Sequence, residues 1–213
     1  MAGRTHIIGG GLAGLSTAVN LVRAGRDVSL YEGAGHCGGR CRSYFDAVLG
    51  RRIDNGNHLV LSGNRAALEY LENIAAQDGL SGPEHTAYPF LDLDTDEWWT
   101  VALDATFLPR AMLSKAGRVP GSRPGDYLKA FRLAWAGEET TVAQCLGPDT
   151  VLFRRFWEPL AVAVLNTDAR EAAASLLRPV IRETFGRGAA ACRPLIARDG
   201  LSETFIDPAA VFL

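Results

Sequence analysis

Lysine is nearly missing from this sequence: two lysines stand beside twenty arginines in 213 residues. Acidic residues number 24, so the formal net charge is only −2, and the chain as a whole is not built to hold nucleic acid. The arginine bias, with abundant alanine and glycine, reads as the codon usage of a GC-rich genome rather than as a binding device. Cysteine is scarce too. Cys37, Cys41, Cys145 and Cys192 are too few and too scattered for a secreted disulfide scaffold, and Cys37 and Cys41 lack the two-residue gap of a zinc knuckle. We therefore expect reduced thiols, a cytoplasmic protein and no metal site. Long apolar runs are lacking as well. The first, Thr5-His-Ile-Ile8, stops at Gly9, too short for a signal peptide, and none approaches the roughly 20 residues that cross a bilayer. Repeats and low-complexity tracts are absent. What remains, 47% hydrophobic and 22% charged, is ordinary globular composition, and the length suits one large domain or two modest ones.

Glycine, by contrast, is plentiful and placed. The run 5–8 reads as a buried strand. Leu12, Leu15, Ala18, Val19 and Val22 then repeat at helical spacing up to Gly25, and Asp27 to Tyr31 reads as a second strand closed by Glu32. Strand, glycine turn, helix and strand make a βαβ unit, the core of an α/β, Rossmann-type fold. Its turn, Gly9-Gly-Gly-Leu-Ala-Gly14, satisfies G-x-G-x-x-G with Gly9, Gly11 and Gly14. The first glycine permits the tight turn, the second lets backbone N–H groups approach a pyrophosphate, and the third lets helix and strand pack closely. Plain turn glycines are the bland alternative. Glu32, 18 residues past Gly14, is placed to hold a ribose hydroxyl pair and would repel a 2′-phosphate. It does not separate FAD from NAD.

The next loop does. Gly38-Gly39-Arg40 follows the ribose acid closely; the doublet lets the chain approach a cofactor and Arg40 is suited to neutralise pyrophosphate charge. Arg42, Arg51 and Arg52 read as solvated. This loop resembles the second fingerprint of the FAD-dependent amine oxidase and phytoene desaturase superfamily. Gly38 to Asp46, Ile53-Asp-Asn-Gly-Asn-His-Leu-Val-Leu-Ser-Gly-Asn64, Trp157-Glu-Pro-Leu160, Leu165-Asn-Thr167 and Gly200 to Pro208 are together similar to the squalene-associated FAD-dependent desaturases, the hydroxysqualene dehydroxylases of bacterial hopanoid synthesis.

The resemblance implies FAD contacts at Gly9, Gly11, Gly14, Glu32, Gly38, Gly39 and Arg40, with Gly56, Asn57 and His58 where the chain passes the isoalloxazine ring. A glycine between two asparagines and a histidine is an odd thing to bury. For His58 two readings stay open: a hydrogen-bonded core histidine, or a flavin-side residue and the sole catalytic candidate. Asp54 reads as a brace for that loop. Trp98, Trp99, Trp135 and Trp157 read mainly as packing, with some available to line an isoprenoid channel. The implied reaction is reductive loss of an allylic hydroxyl from hydroxysqualene, giving squalene, on a polyisoprenoid substrate. A carotenoid-type (phytoene) desaturase or isomerase is the alternative within the superfamily, and a nicotinamide dehydrogenase a more distant one.

Further along, Asn64 is placed to cap a helix running to about Gln77. Prolines gather between Pro83 and Pro148, with a strand-like Trp98 to Leu103 among them. Helices are expected near 126–136, 150–165 and 169–185, kinked or broken at Pro159 and Pro179. We read 1–78 as the FAD-binding βαβ unit with its glycine loop, 79–190 as a mostly helical substrate module, and 191–213 as a truncated return to the FAD domain. The family members implied by the resemblance run to about twice this length. An incomplete Rossmann domain is therefore expected, whose partner is the C-terminal half of the same enzyme, or else the chain is a non-catalytic fragment or half of a split enzyme. A C30 substrate adds an expected peripheral contact with the inner membrane.

Overall fold

The computed structural model describes residues 3–56, 58–103 and 118–213. They divide into two compact units: residues 1–60, 64–83 and 194–213 form one, and residues 61–63 with 84–193 form the other.

In the first unit β1 (Thr5–Ile8) runs parallel to β2 (Val28–Tyr31), with Thr5 opposite Val28 and Ile8 opposite Tyr31. Between them lies α1 (Leu12–Arg23). Leu15, Ala18 and Val19 are spaced to share one helical face, and all three are fully buried. Each leucine so buried contributes about 1.5–3 kcal/mol relative to exposure. Leu12 and Ile8 stay exposed. A hairpin follows, β3 (Ser43–Asp46) antiparallel to β4 (Arg51–Asp54). After the short β5 (Val60–Leu61), Asn64 holds the N-cap position of α2 (Arg65–Asn73). This helix stops earlier than its sequence suggests. Ala75 turns left-handed at φ +54°, so that the N–H of Ala75 bonds Glu72 O and that of Ala76 bonds Leu71 O. That arrangement satisfies the last carbonyls as a glycine would, with an alanine in the glycine's place. The chain re-enters the unit at β9 (Pro194–Ala197), which pairs antiparallel with β6 (Leu80–Ser81), and ends in the π-helical turn Ser202–Ile206 and the helix Asp207–Phe212. Leu201, Phe205, Ile206 and Ala209 from this last stretch pack with Leu15, Val19, Tyr70 and Leu71. Tyr70 donates to Phe205 O at 2.7 Å, and burial, with the Cys41 thiol nearby, pushes its phenol up to about 12.

The second unit contains the hairpin of β7 (Ala87–Asp92) and β8 (Glu97–Ala102), matching the strand expected at Trp98. Its helical parts depart from the periodicity reading. The 126–136 stretch is a short α-turn, Pro124–Tyr127, continued as 3-10 helix to Trp135. The 150–165 helix contains a π-helical turn, Phe153–Trp157, directly before Glu158–Leu165. Pro159 thus follows the π-helical turn directly, and the helix continues through it to Leu165. The last helix begins at Ala174, not 169, and continues past Pro179 to Glu183, so no break occurs there. Arg155 holds the hairpin from the π turn, reaching Asp92 at 3.1 Å and Glu97 at 2.7 Å while its guanidinium lies 5.1 Å from the Trp99 ring centre. Trp99 stacks on Phe90, Phe90 meets Phe156, and Phe156 meets Trp157 edge-on. Trp99 and Trp157 therefore pack as expected. Trp98 and Trp135 do not: both are exposed, Trp135 to 81%. All four cysteines are free.

Candidate functional site

β1 ends where Gly9 takes φ +101°, a turn closed to L side chains, and the Gly9 N–H donates to Tyr31 O at 2.7 Å. Gly14, one turn into α1, lies so near the strand end that a Cβ there would stand 1.9 Å from Gly9 O. Gly11 differs from both. Its φ of −70° suits any residue, and a Cβ there would meet nothing closer than Gly38 O at 4.0 Å. The opening of α1 therefore faces clear space, with helix N–H groups that have no intrahelical acceptor and no capping side chain over them. An anion fits there, and a side chain at position 11 would occupy its place.

Glu32 lies below this turn. Its Oε2 accepts from the Gly10 N–H at 2.7 Å and its Oε1 from the Ala34 N–H at 2.8 Å. These bonds from Ala34 and Gly10 hold its carboxyl below the usual 4.5. Each oxygen keeps a further lone pair, so the carboxylate that shapes the loop can also accept from ribose hydroxyls.

The second glycine loop closes onto the first. The Gly38 N–H donates to Gly10 O at 2.8 Å. Gly38 is buried at φ +113°, where a Cβ would stand 2.5 Å from Cys41 O, and a Cβ at Gly39 would lie 3.6 Å from Gly11 Cα. Two sequence motifs some thirty residues apart thus form one backbone cradle. Arg40 is exposed at its rim. Arg42 lies 5.1 Å over the Tyr44 ring, and Arg52 pairs with Glu203 at 2.6 Å, so neither is simply solvated.

From this cradle the chain reaches Gly56 through Asn55, a residue of the 53–64 motif to which the sequence reading assigned no role. Asn55 donates its side-chain amide to Arg40 O at 3.0 Å and its backbone N–H to Arg42 O at 2.9 Å. The signal available was an asparagine ending a strand next to a glycine, but nothing local tells which carbonyl it meets. Gly56 takes φ +121°, and the His58 ring folds back so that its Nε2 would be 3.2 Å from a Cβ at Gly56. Neither residue is buried; both are exposed, which removes the core-histidine reading of His58. Asn57 lies outside the described residues. Asp54 accepts from Ser43 Oγ and from the Leu201 N–H, so Ser43 and the segment after Gly200 also belong to the support of this loop. Among the described residues, no group of three or more His, Cys, Asp or Glu could hold a metal.

A parallel βαβ unit with an open helix N-terminus, a ribose-placed carboxylate and a second glycine loop folded over the first defines a Rossmann-type dinucleotide-binding protein of the FAD-dependent oxidoreductase class. The chain belongs to the flavin containing amine oxidoreductase family, which residues 12–210 match. It is 45% identical, over all 213 residues, to a hydroxysqualene dehydroxylase of Sinorhizobium fredii, and covers 51% of that protein. The chain thus spans about half the length of the curated relatives it matches. A zeta-carotene desaturase of Synechocystis is 39% identical over 83 residues, 39% of this chain and 17% of that protein. Among solved structures, an oxidoreductase from Methanosarcina mazei shares the fold, with a TM-score of 0.65 at 18% identity over 98% of this chain and 48% of the other. FAD is the cofactor of this class, and the cradle fits it: the open space at Gly11 and the donors at the start of α1 suit a pyrophosphate.

Proposed function

We propose that this chain is the FAD-binding and substrate-side portion of an enzyme that removes the hydroxyl group of hydroxysqualene reductively, yielding squalene and water in hopanoid synthesis. One observation carries the reading: the Gly38–Gly10 hydrogen bond joins both glycine loops into a single cradle, in a chain that matches a hydroxysqualene dehydroxylase along its whole length. Gly9, Gly11 and Gly14 would approach the pyrophosphate, Glu32 the ribose, and Gly38, Gly39 and Arg40 the pyrophosphate from the opposite loop. Gly56, Asn57 and His58 would lie along the flavin. When bound and reduced, FAD supplies the hydride equivalent. The contribution of the chain's own residues is binding and orientation: backbone donors for the phosphates, a carboxylate for the ribose, and in 79–190 an apolar module for the C30 chain, away from water. We assign His58 as the side chain to test first for a direct role. The remaining length of the relatives, on the same polypeptide or a second one, would complete the FAD domain.

We also place the enzyme at a membrane surface, where a C30 hydrocarbon is dissolved. Among the described residues no helix is long and apolar enough to cross a membrane. The supporting feature is the β3–β4 hairpin tip. Asp46 Oδ1 accepts from the N–H groups of Val48 and Leu49, Val48 is 95% and Phe45 66% exposed, and the exposed Arg52 stands opposite Phe45.

The test is to incubate the purified protein with FAD, a flavin reductant and hydroxysqualene. Squalene as product supports the reading. Absence of squalene alongside dehydrogenation of phytoene or zeta-carotene supports the desaturase alternative, and a preparation that retains no flavin and turns over neither substrate points to the non-catalytic fragment.

A further inference from the structure

Asp54 ends β4 directly before the Asn55–Gly56 turn, and one of its oxygens gathers donors from two other parts of the chain. Oδ1 accepts from Ser43 Oγ at 2.5 Å and from the Leu201 N–H at 2.9 Å. Ser43 extends the junction, since its N–H donates to Ser202 Oγ at 2.8 Å while its Oγ accepts from the Ser202 N–H at 3.0 Å. Gly200 makes the approach feasible. At φ +132°, a Cβ there would stand 2.5 Å from Glu203 Oε2 and 2.6 Å from Ser43 Oγ. Arg52, two residues before Asp54, pairs with Glu203. Immediately after Asp54, Asn55 ties the start of the loop to Arg40 O and Arg42 O. The Asn55–Gly56 turn is therefore held from the glycine cradle on one side and from residues 200–203 on the other.

We propose that Asp54 is a positioning residue: through Ser43 and Leu201 it fixes the Asn55–Gly56 turn, which on the proposed reading faces the flavin end of the cofactor. This rests on the FAD reading above. Both donors converge on a single oxygen, so the junction needs an acceptor at that point rather than a charge, and an amide oxygen in the same place serves equally.

The experiment compares ADP and FAD binding to the 213-residue chain for the wild type, Asp54→Asn, Asp54→Ala and Ser43→Ala, with amide hydrogen exchange at Gly56 as a cofactor-free readout. ADP engages the glycine loops and Glu32 only, whereas FAD also needs the loop. Asp54→Ala should weaken FAD about tenfold, the equivalent of one lost hydrogen bond, leave ADP unchanged and speed exchange at Gly56. Asp54→Asn should restore all three. Ser43→Ala should shift FAD affinity and exchange in the same direction, which carries the test if Asp54→Ala does not fold. Equal losses of ADP and FAD in Ser43→Ala would reduce the junction to a general fold support and overturn the proposal. So would Asp54→Asn proving as damaging as Asp54→Ala, or FAD affinity and exchange that no substitution changes. A wild-type chain that binds neither nucleotide would overturn the proposal for this chain and point to the non-catalytic fragment.

Discussion

Gly14 packs against the carbonyl of Gly9 so closely that a methyl group on Gly14 would stand 1.9 Å from that oxygen. Gly11, three residues earlier in the same motif, has no such neighbour. The two glycines therefore do different work. Gly14→Ala sets backbone against backbone and should destabilise the protein by at least about 3 kcal/mol in urea unfolding. Gly11→Ala should leave the urea midpoint nearly unchanged while abolishing most nucleotide affinity by titration. A reversed pattern would place the phosphate site elsewhere.

Glu32 links the first glycine loop to a proton equilibrium. Its carboxyl is depressed below 4.5 by the N–H groups of Ala34 and Gly10. A depressed carboxyl stabilises the folded state fully above its unfolded value, and that stabilisation is lost as the pH falls through the folded one. Unfolding measured between neutral pH and pH 3 should show the wild type losing stability below 4.5. Glu32→Gln should flatten that acid limb and weaken nucleotide binding modestly at neutral pH.

Ala75 holds a left-handed turn at φ +54° that closes α2. An L-residue pays about 1 kcal/mol for that conformation and glycine does not. Ala75→Gly should raise stability by about 0.5–1 kcal/mol, read as a higher urea midpoint with an unchanged slope. A drop in the midpoint would mean that the alanine methyl packs usefully.

The hairpin tip gives the membrane proposal a direct check. Val48→Asp with Leu49→Asp should abolish co-sedimentation with anionic phosphatidylglycerol vesicles while FAD binding stays intact, because neither side chain touches the glycine cradle. Unchanged sedimentation, or loss of FAD together with it, would remove the tip as the membrane contact.

Much of the dinucleotide unit was legible because its signals are local. Apolar period, glycine spacing and the acid closing β2 all lie within about thirty residues, and the strands and helix appear within a residue or so of where they were read. What stayed hidden depends on distant partners or on exceptions to residue habit. Ala75 does a glycine's task, the Phe153–Trp157 turn widens without a breaker inside it, and Pro179 is carried within a helix. Asp54 was legible as a brace, but its partner was not, since Leu201 meets it from 147 positions away. Exposure of Trp135 was misread, and that of His58 left open, because a residue's chemistry suggests burial without deciding it.

That long span has a consequence for how the chain assembles. Residues 84–193 are made after the βαβ unit and before the Gly200 segment that packs on it. During synthesis the inserted unit emerges with its own aromatic core complete, while Leu15, Val19 and Tyr70 still wait for Leu201 and Phe205. Closing so large a loop is entropically cheaper once its interior is already compact. The later-numbered unit is therefore the one that can fold first on the ribosome, and the core around Leu15 and Tyr70 closes after it.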